Sequence, residues 1–129
     1  MKTRRKFIQT LVVAGTAATL PIDLMAEQTK NQKMIHQVFF WLNAGVDVKD
    51  FMNEASVLGK CKTVAKSYMG TPAPTEARSV VDHSYQVACT LFFDSIEDQD
   101  VYQTDPQHLK FIERNSSKWN KVQVYDFVI

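Results

Sequence analysis

The stretch MIHQVFFWL, residues 34 to 42, is apolar on both of its alternating sets of positions, and this constrains the fold more than any other feature of the chain. His36, Val38, Phe40 and Leu42 point to one side of a strand, and Ile35, Gln37, Phe39 and Trp41 to the other. Such a strand needs cover on two sides. The period then changes: Val48, Phe51, Met52, Ala55 and Leu58 recur at helical spacing across residues 47–60, with Asp47 suited to cap the start and Gly59 to end the helix. Residues 62–69 alternate as a half-buried strand does, and residues 70–79, with two prolines and a glycine, read as a loop. Residues 80–94 read as a long strand with Tyr85, Val87, Cys89, Leu91 and Phe93 on one side and Ala88, Thr90 and Phe92 on the other. Ser95 followed by Asp98 marks a helix start. That helix reaches about Thr104, Asp105-Pro106 interrupts it, and a second piece runs to about Asn115. Residues 119–129 close the chain as a strand, with Val122 and Val124 opposed to Tyr125 and Phe127.

The resulting order, strand, helix, strand, strand, helix, strand, is the ferredoxin-like βαββαβ plan of an α+β domain, in which helices cover one face of an antiparallel sheet. The other face would then expose a contiguous aromatic surface, which single-subunit proteins avoid. A homodimer with two sheets packed face to face is therefore expected, through Phe39, Trp41, Phe92, Tyr125 and Phe127.

Residues 1–26 have the composition of an export signal: Lys2, Arg4, Arg5 and Lys6, then an apolar stretch from Phe7 to Leu20, then a cleavage position after Ala26. Arg4-Arg5 before Phe7-Ile8 resembles the twin-arginine type, which implies a periplasmic destination. The apolar stretch is too short and too rich in small residues to make a permanent span, so no membrane association is expected beyond this segment, although an uncleaved signal would tether the protein. Residues 27–33 form a polar linker, and residues 34–129 the domain. The signal holds four of the 15 Lys and Arg residues and one of the 14 Asp and Glu residues, so the remainder carries a net charge of −2. A slightly acidic domain without a basic stripe excludes nucleic acid as a partner. Cys61 and Cys89 stand apart, with no CxxC spacing, and two separate thiols are expected. The three histidines, His36, His83 and His108, lack metal-ligand spacing, so neither a metal nor a cofactor is expected.

MIHQVFFWL, the VVDHSYQVACTLFFDS strand running into its helix, the Tyr102…Asp105-Pro106-Gln107-His108 turn and the terminal VQVYDF together resemble the stress-responsive A/B barrel (Dabb) family. The resemblance implies a dimeric α+β barrel. In the plant olivetolic acid cyclase branch of that family a histidine acts as base beside a tyrosine. That branch's tyrosine, Pro-x-His turn and first-strand histidine match Tyr102, Pro106-Gln107-His108 and His36, while a further histidine of its third strand falls near the apolar Val87.

Tyr102 and His108 are six residues apart, which on one unbroken helix would put them on opposite faces. Pro106 suits the first turn of a new helix with Asp105 as its N-cap, so the redirected chain brings the two rings toward each other, with His108 on the side of Phe111 and Ile112. A pocket between helices and sheet bounded by His36, Tyr102 and His108 follows. Two uses are open. One is a small-molecule site without chemistry. The other is a cofactor-free cyclase or isomerase acting on a carbonyl compound, with His108 as general base and Tyr102 as hydrogen-bond donor. The structural alternative is that His108 bridges the helix break and the Tyr102 hydroxyl is anchored in the core.

Overall fold

The computed structural model describes residues 32–129. The expected signal and all but the end of the linker lie outside the described residues. Lys33, at the linker's end, is already tied to the domain, because its carbonyl accepts from the Ile129 backbone N–H at 2.9 Å.

Among the described residues, four strands and three α-helices follow in the order β1 (Met34–Leu42), α1 (Val48–Ala55), β2 (Val64–Gly70), β3 (Val87–Phe93), α2 (Ile96–Gln103), α3 (Pro106–Asn115) and β4 (Trp119–Val128). The antiparallel sheet has the order β2-β3-β1-β4. This is the ferredoxin-like α+β fold. β1, the most apolar strand, takes a central position, where both its edges are paired.

The side of β1 that carries Met34, His36, Val38, Phe40 and Leu42 is buried beneath the helices, together with Val87, Cys89, Leu91 and Phe93 of β3. Phe40 meets the Phe51 ring of α1 at 5.1 Å and the Phe111 ring of α3 at 6.2 Å between centroids. Each such ring contributes about 1.5–3 kcal/mol through area removed from water. Cys61 and Cys89 are free and buried.

α1 starts where expected: the Asp47 carboxylate accepts from the Asp50 N–H at 2.9 Å. Before it, the chain leaves β1 through Gly45, whose φ of +90° is a backbone conformation that a side chain would strain. The helix expected through residue 60 instead tightens at Ser56 into a 3-10 segment, Ser56–Lys60. Gly59 is therefore no helix stop. It lets this segment approach β2, since a Cβ there would lie 2.2 Å from Ser67 Oγ.

The strand expected over residues 80–94 begins only at Val87, so the loop runs from 71 to 86. The ladder ends at the pairs Phe40↔Val87 and Gly70↔Ala88; Gln86 still donates its N–H to the Phe40 carbonyl at 2.9 Å, and the residues before it turn largely to local partners. Ser84 N–H donates to the Asp82 carboxylate at 2.8 Å, and Thr75 Oγ1 and His83 Nε2 are 2.9 Å apart. Tyr85 is displaced from the side expected for it. It packs on the opposite sheet face, against Phe39 at 5.0 Å and Trp41 at 6.3 Å.

Among the described residues no helix covers that outer face. Ile35, Phe39, Trp41 and Phe92 are half-buried, while Tyr68, Tyr125 and Phe127 are exposed. Trp41 is held by a hydrogen bond to Ser84 Oγ at 2.9 Å and by the Lys121 ammonium 4.4 Å over its ring. Among the described residues no helix is long and apolar enough to cross a membrane.

Candidate functional site

Asp105 and Pro106 build the joint that positions the site. The Asp105 carboxylate accepts from the Gln107 N–H at 2.8 Å and caps α3, and Pro106 occupies the first turn, where its missing N–H costs nothing. A second, longer contact of 3.4 Å from the Lys62 N–H fixes the same carboxylate to the segment before β2. Asp105 is itself buried. The chain turns so sharply that Tyr102, in the last turn of α2, and His108, in the first turn of α3, lie ring against ring with centroids 4.4 Å apart and planes tilted by 42°.

The His108 ring turns back across the break. Its Nδ1 lies 3.1 Å from the Gln103 carbonyl oxygen. A carbonyl can only accept, so Nδ1 carries the hydrogen and Nε2 is the free nitrogen of the ring. The expected bridging role is thus real, and it sets the tautomer. Burial is the main influence holding His108 below the ordinary imidazole range, with the His36 ring adding to it and the Gln103 carbonyl and Asp105 carboxylate opposing it.

Tyr102 is 1% exposed. Its ring packs against Phe93 at 5.3 Å and His36 at 5.9 Å. Burial raises its pKa well above the usual phenol value, with the Cys89, Cys61 and Asp105 side chains adding to that, so it remains a proton-bearing donor. Burial likewise pushes the Cys61 thiol up to about 11, with Asp105 assisting, and Cys89 up to about 12, so neither is a ready nucleophile.

His36 enters from β1. It is buried, and its Nδ1 lies 2.6 Å from Asp126 Oδ1, a cross-strand partner in the β1–β4 register. Asp126 is the residue that the reading of the chain missed. The signal was present in the parity of β4, where Asp126 is the one charged side chain on the face that carries Val122, Val124 and Val128.

His36, Tyr102 and His108 line one cavity of about 210 Å³ between sheet and helices. Val38, Phe40, Leu58, Phe111 and Trp119 supply apolar wall, and Ile112, Val122 and Val124 stand at its more exposed side. Ile112 therefore borders the cavity and not the buried core. A wider groove of about 420 Å³ between α1 and α3 is bordered by Asn53, Glu54, Lys110 and Arg114 and crossed by the Arg114–Glu54 ion pair at 3.3 Å; none of the three residues reaches it. His83 lies apart in the 71–86 loop. Among the described residues no three His, Cys, Asp or Glu side chains converge as metal ligands.

Comparison with solved structures returns the same architecture. A dimeric ferredoxin-like protein of unknown function from Thermobifida fusca is 15% identical, with a TM-score of 0.62 over 78% of this chain and 93% of that one. A Dabb family protein from Mesorhizobium loti is 19% identical, with a TM-score of 0.62 over 76% of this chain and 97% of that one. The hydroxynitrile lyase of Passiflora edulis is 16% identical, with a TM-score of 0.62 over 77% of this chain and 94% of that one. At these identities the likeness shows the fold alone. No curated protein matches the chain. The model of the Stress Responsive A/B Barrel Domain (Dabb) matches residues 34–129, every element of the fold from β1 to β4, and the chain belongs to that family.

Proposed function

We propose that this protein is an exported homodimer that binds a small molecule in the cavity bounded by His36, Tyr102 and His108. The observation that carries the binding reading is that three of the cavity's few polar side chains converge on a space otherwise walled by apolar ones. Ligand sites characteristically combine apolar walls with a few oriented polar groups. At about 210 Å³ the space suits a compound smaller than a typical drug.

The sheet face that no helix of the described residues covers supports the homodimer, with Phe39, Trp41, Phe92, Tyr125 and Phe127 as interface residues. The proteins of this fold from Thermobifida fusca and Bacteroides fragilis are both described as dimeric. Residues 1–26 support export, through Arg4-Arg5 and the apolar stretch that follows.

A second reading, a cofactor-free cyclase or isomerase, is favoured by one specific feature. The Gln103 carbonyl ties down Nδ1 of His108 and leaves Nε2 as a lone pair beside a protonated Tyr102. That pair suits abstraction of a proton next to a carbonyl, with Tyr102 donating to the developing enolate oxygen. A neighbour of the same fold is a lyase, so the architecture accommodates chemistry. Export argues against coenzyme A thioesters as substrates.

Native mass spectrometry of the protein purified from its own host tests both levels. The expected result is a dimer with a retained small molecule that is lost in His108→Ala. A compact monomer at high concentration removes the dimer, and an empty cavity that accepts no compound from a carbonyl library removes the binding reading. If a substrate is found and His108→Ala turns it over unchanged, His108 is not the base.

A further inference from the structure

We infer that the cavity selects uncharged compounds, taking a small ketone or hydroxyketone with a compact apolar body and rejecting the carboxylate of the same shape. The inference rests on the binding reading above and specifies its ligand class. Among the described residues, no lysine or arginine lines the cavity, and its polar side chains are His36, Tyr102, Gln103 and His108. A carboxylate entering this space would give up its water with no fixed cation to receive it.

The two other sources of positive potential are already occupied. The N-terminal end of α3 is capped by Asp105, which accepts the Gln107 N–H at 2.8 Å, so the dipole there is answered from within the chain. The His36 imidazole is already engaged, its Nδ1 lying 2.6 Å from Asp126 Oδ1. His108 offers Nε2, an acceptor in the neutral ring, because its Nδ1–H is spent on the Gln103 carbonyl.

The polar side chains of the site, His36, Tyr102, Gln103 and His108, include a hydroxyl and an amide that can donate, and none is a fixed cation. A ketone oxygen can accept from one of these donors, and an acidic C–H or a hydroxyl on the neighbouring carbon can face His108 Nε2. A carboxylate brings a full negative charge that no lysine or arginine of the lining offsets. The apolar body would lie along Val38, Phe111, Val122 and Val124.

The test uses matched pairs of neutral and anionic probes, acetophenone with benzoate and pentan-2-one with butanoate. Each is titrated into the full chain at pH 7.5 while the side-chain NMR signals of Tyr102 and His108 are followed. Each ketone is expected to bind at least about tenfold more tightly than its carboxylate, a difference of about 1.4 kcal/mol. Val124→Lys places an ammonium at the more exposed wall and is expected to reverse the preference. Benzoate binding as tightly as acetophenone overturns the charge rule and leaves the cavity as a ligand site. A Val124→Lys protein that keeps the full ketone preference also overturns it. If no probe moves either signal, the binding reading itself falls, and the charge rule with it.

Discussion

Replacing Tyr102 with phenylalanine deletes one oxygen and keeps the ring. The contacts to His108 at 4.4 Å, Phe93 at 5.3 Å and His36 at 5.9 Å survive, so the change isolates the hydroxyl. Among the described residues that hydroxyl has no hydrogen-bond partner, although the residue is only 1% exposed. A buried donor left without a partner costs about 1–3 kcal/mol, whereas an anchored one contributes about 1 kcal/mol. The sign of the change therefore separates a group reserved for a ligand from one that holds the core together. The expected outcome for Tyr102→Phe is a gain of about 1 kcal/mol, or about 4–8 °C in Tm for a domain of this size. Loss of the retained or added ketone should accompany it, a trade of function against stability. Tyr102→Ala, which empties the ring's space, should instead lose about 3–5 kcal/mol. Urea unfolding at matched protein concentration measures both, because dimer stability depends on concentration. A lower midpoint for Tyr102→Phe at unchanged slope would refute the reasoning and make the hydroxyl an anchor.

Asp105→Ala should cost about 1 kcal/mol by uncapping α3, and Asp105→Asn only a few tenths, as read by thermal melting; equal losses would mean that charge and not the cap bond matters. His108 gives a pH dependence of defined sign. Its folded-state pKa is lowered, chiefly by burial, so as pH falls below about 6.5 the unfolded chain takes up the proton first. Stability should decline between that value and the lower folded pKa, then level off, and His108→Gln should remove that decline; an unaltered slope in His108→Gln sinks the assignment. Gly59→Ala drives a Cβ to 2.2 Å from Ser67 Oγ and 2.9 Å from Ser67 Cβ, and should cost about 1–3 kcal/mol. Adding Ser67→Ala should recover part of that loss, and no recovery would place the strain elsewhere.

Much of the fold was legible because local chemistry and tertiary context agreed. β1 spans the residues expected from MIHQVFFWL, and the Asp105-Pro106 joint falls where proline and an N-cap residue demand it. The agreement ended where partners decide. Val80 and Val81 have strand propensity, yet the ladder with β1 stops at Val87, so Asp82 and Ser84 turn the chain locally and carry Tyr85 to the other face. The 3-10 segment was hidden because Leu58 keeps the helical spacing, and the close approach of Gly59 to Ser67 appears only once the strand is in place. At the site, His36, Tyr102 and His108 were readable as residue types and spacing. Asp126 was marked only by its parity in β4, because its pairing with His36 rests on a strand register between residues 90 apart in the chain.

The place of β1 in the sheet carries a cost during synthesis. Its neighbours β3 and β4 both lie downstream, so the segment that folds around the first strand must wait for the ribosome to deliver the last. Pairings this distant close slowly. A nascent chain halted before Trp119 would present the greasiest strand with one naked edge, and the pocket would lack its Val122 and Val124 wall. Until β4 emerges, that edge is open to chaperones and to other unfinished copies.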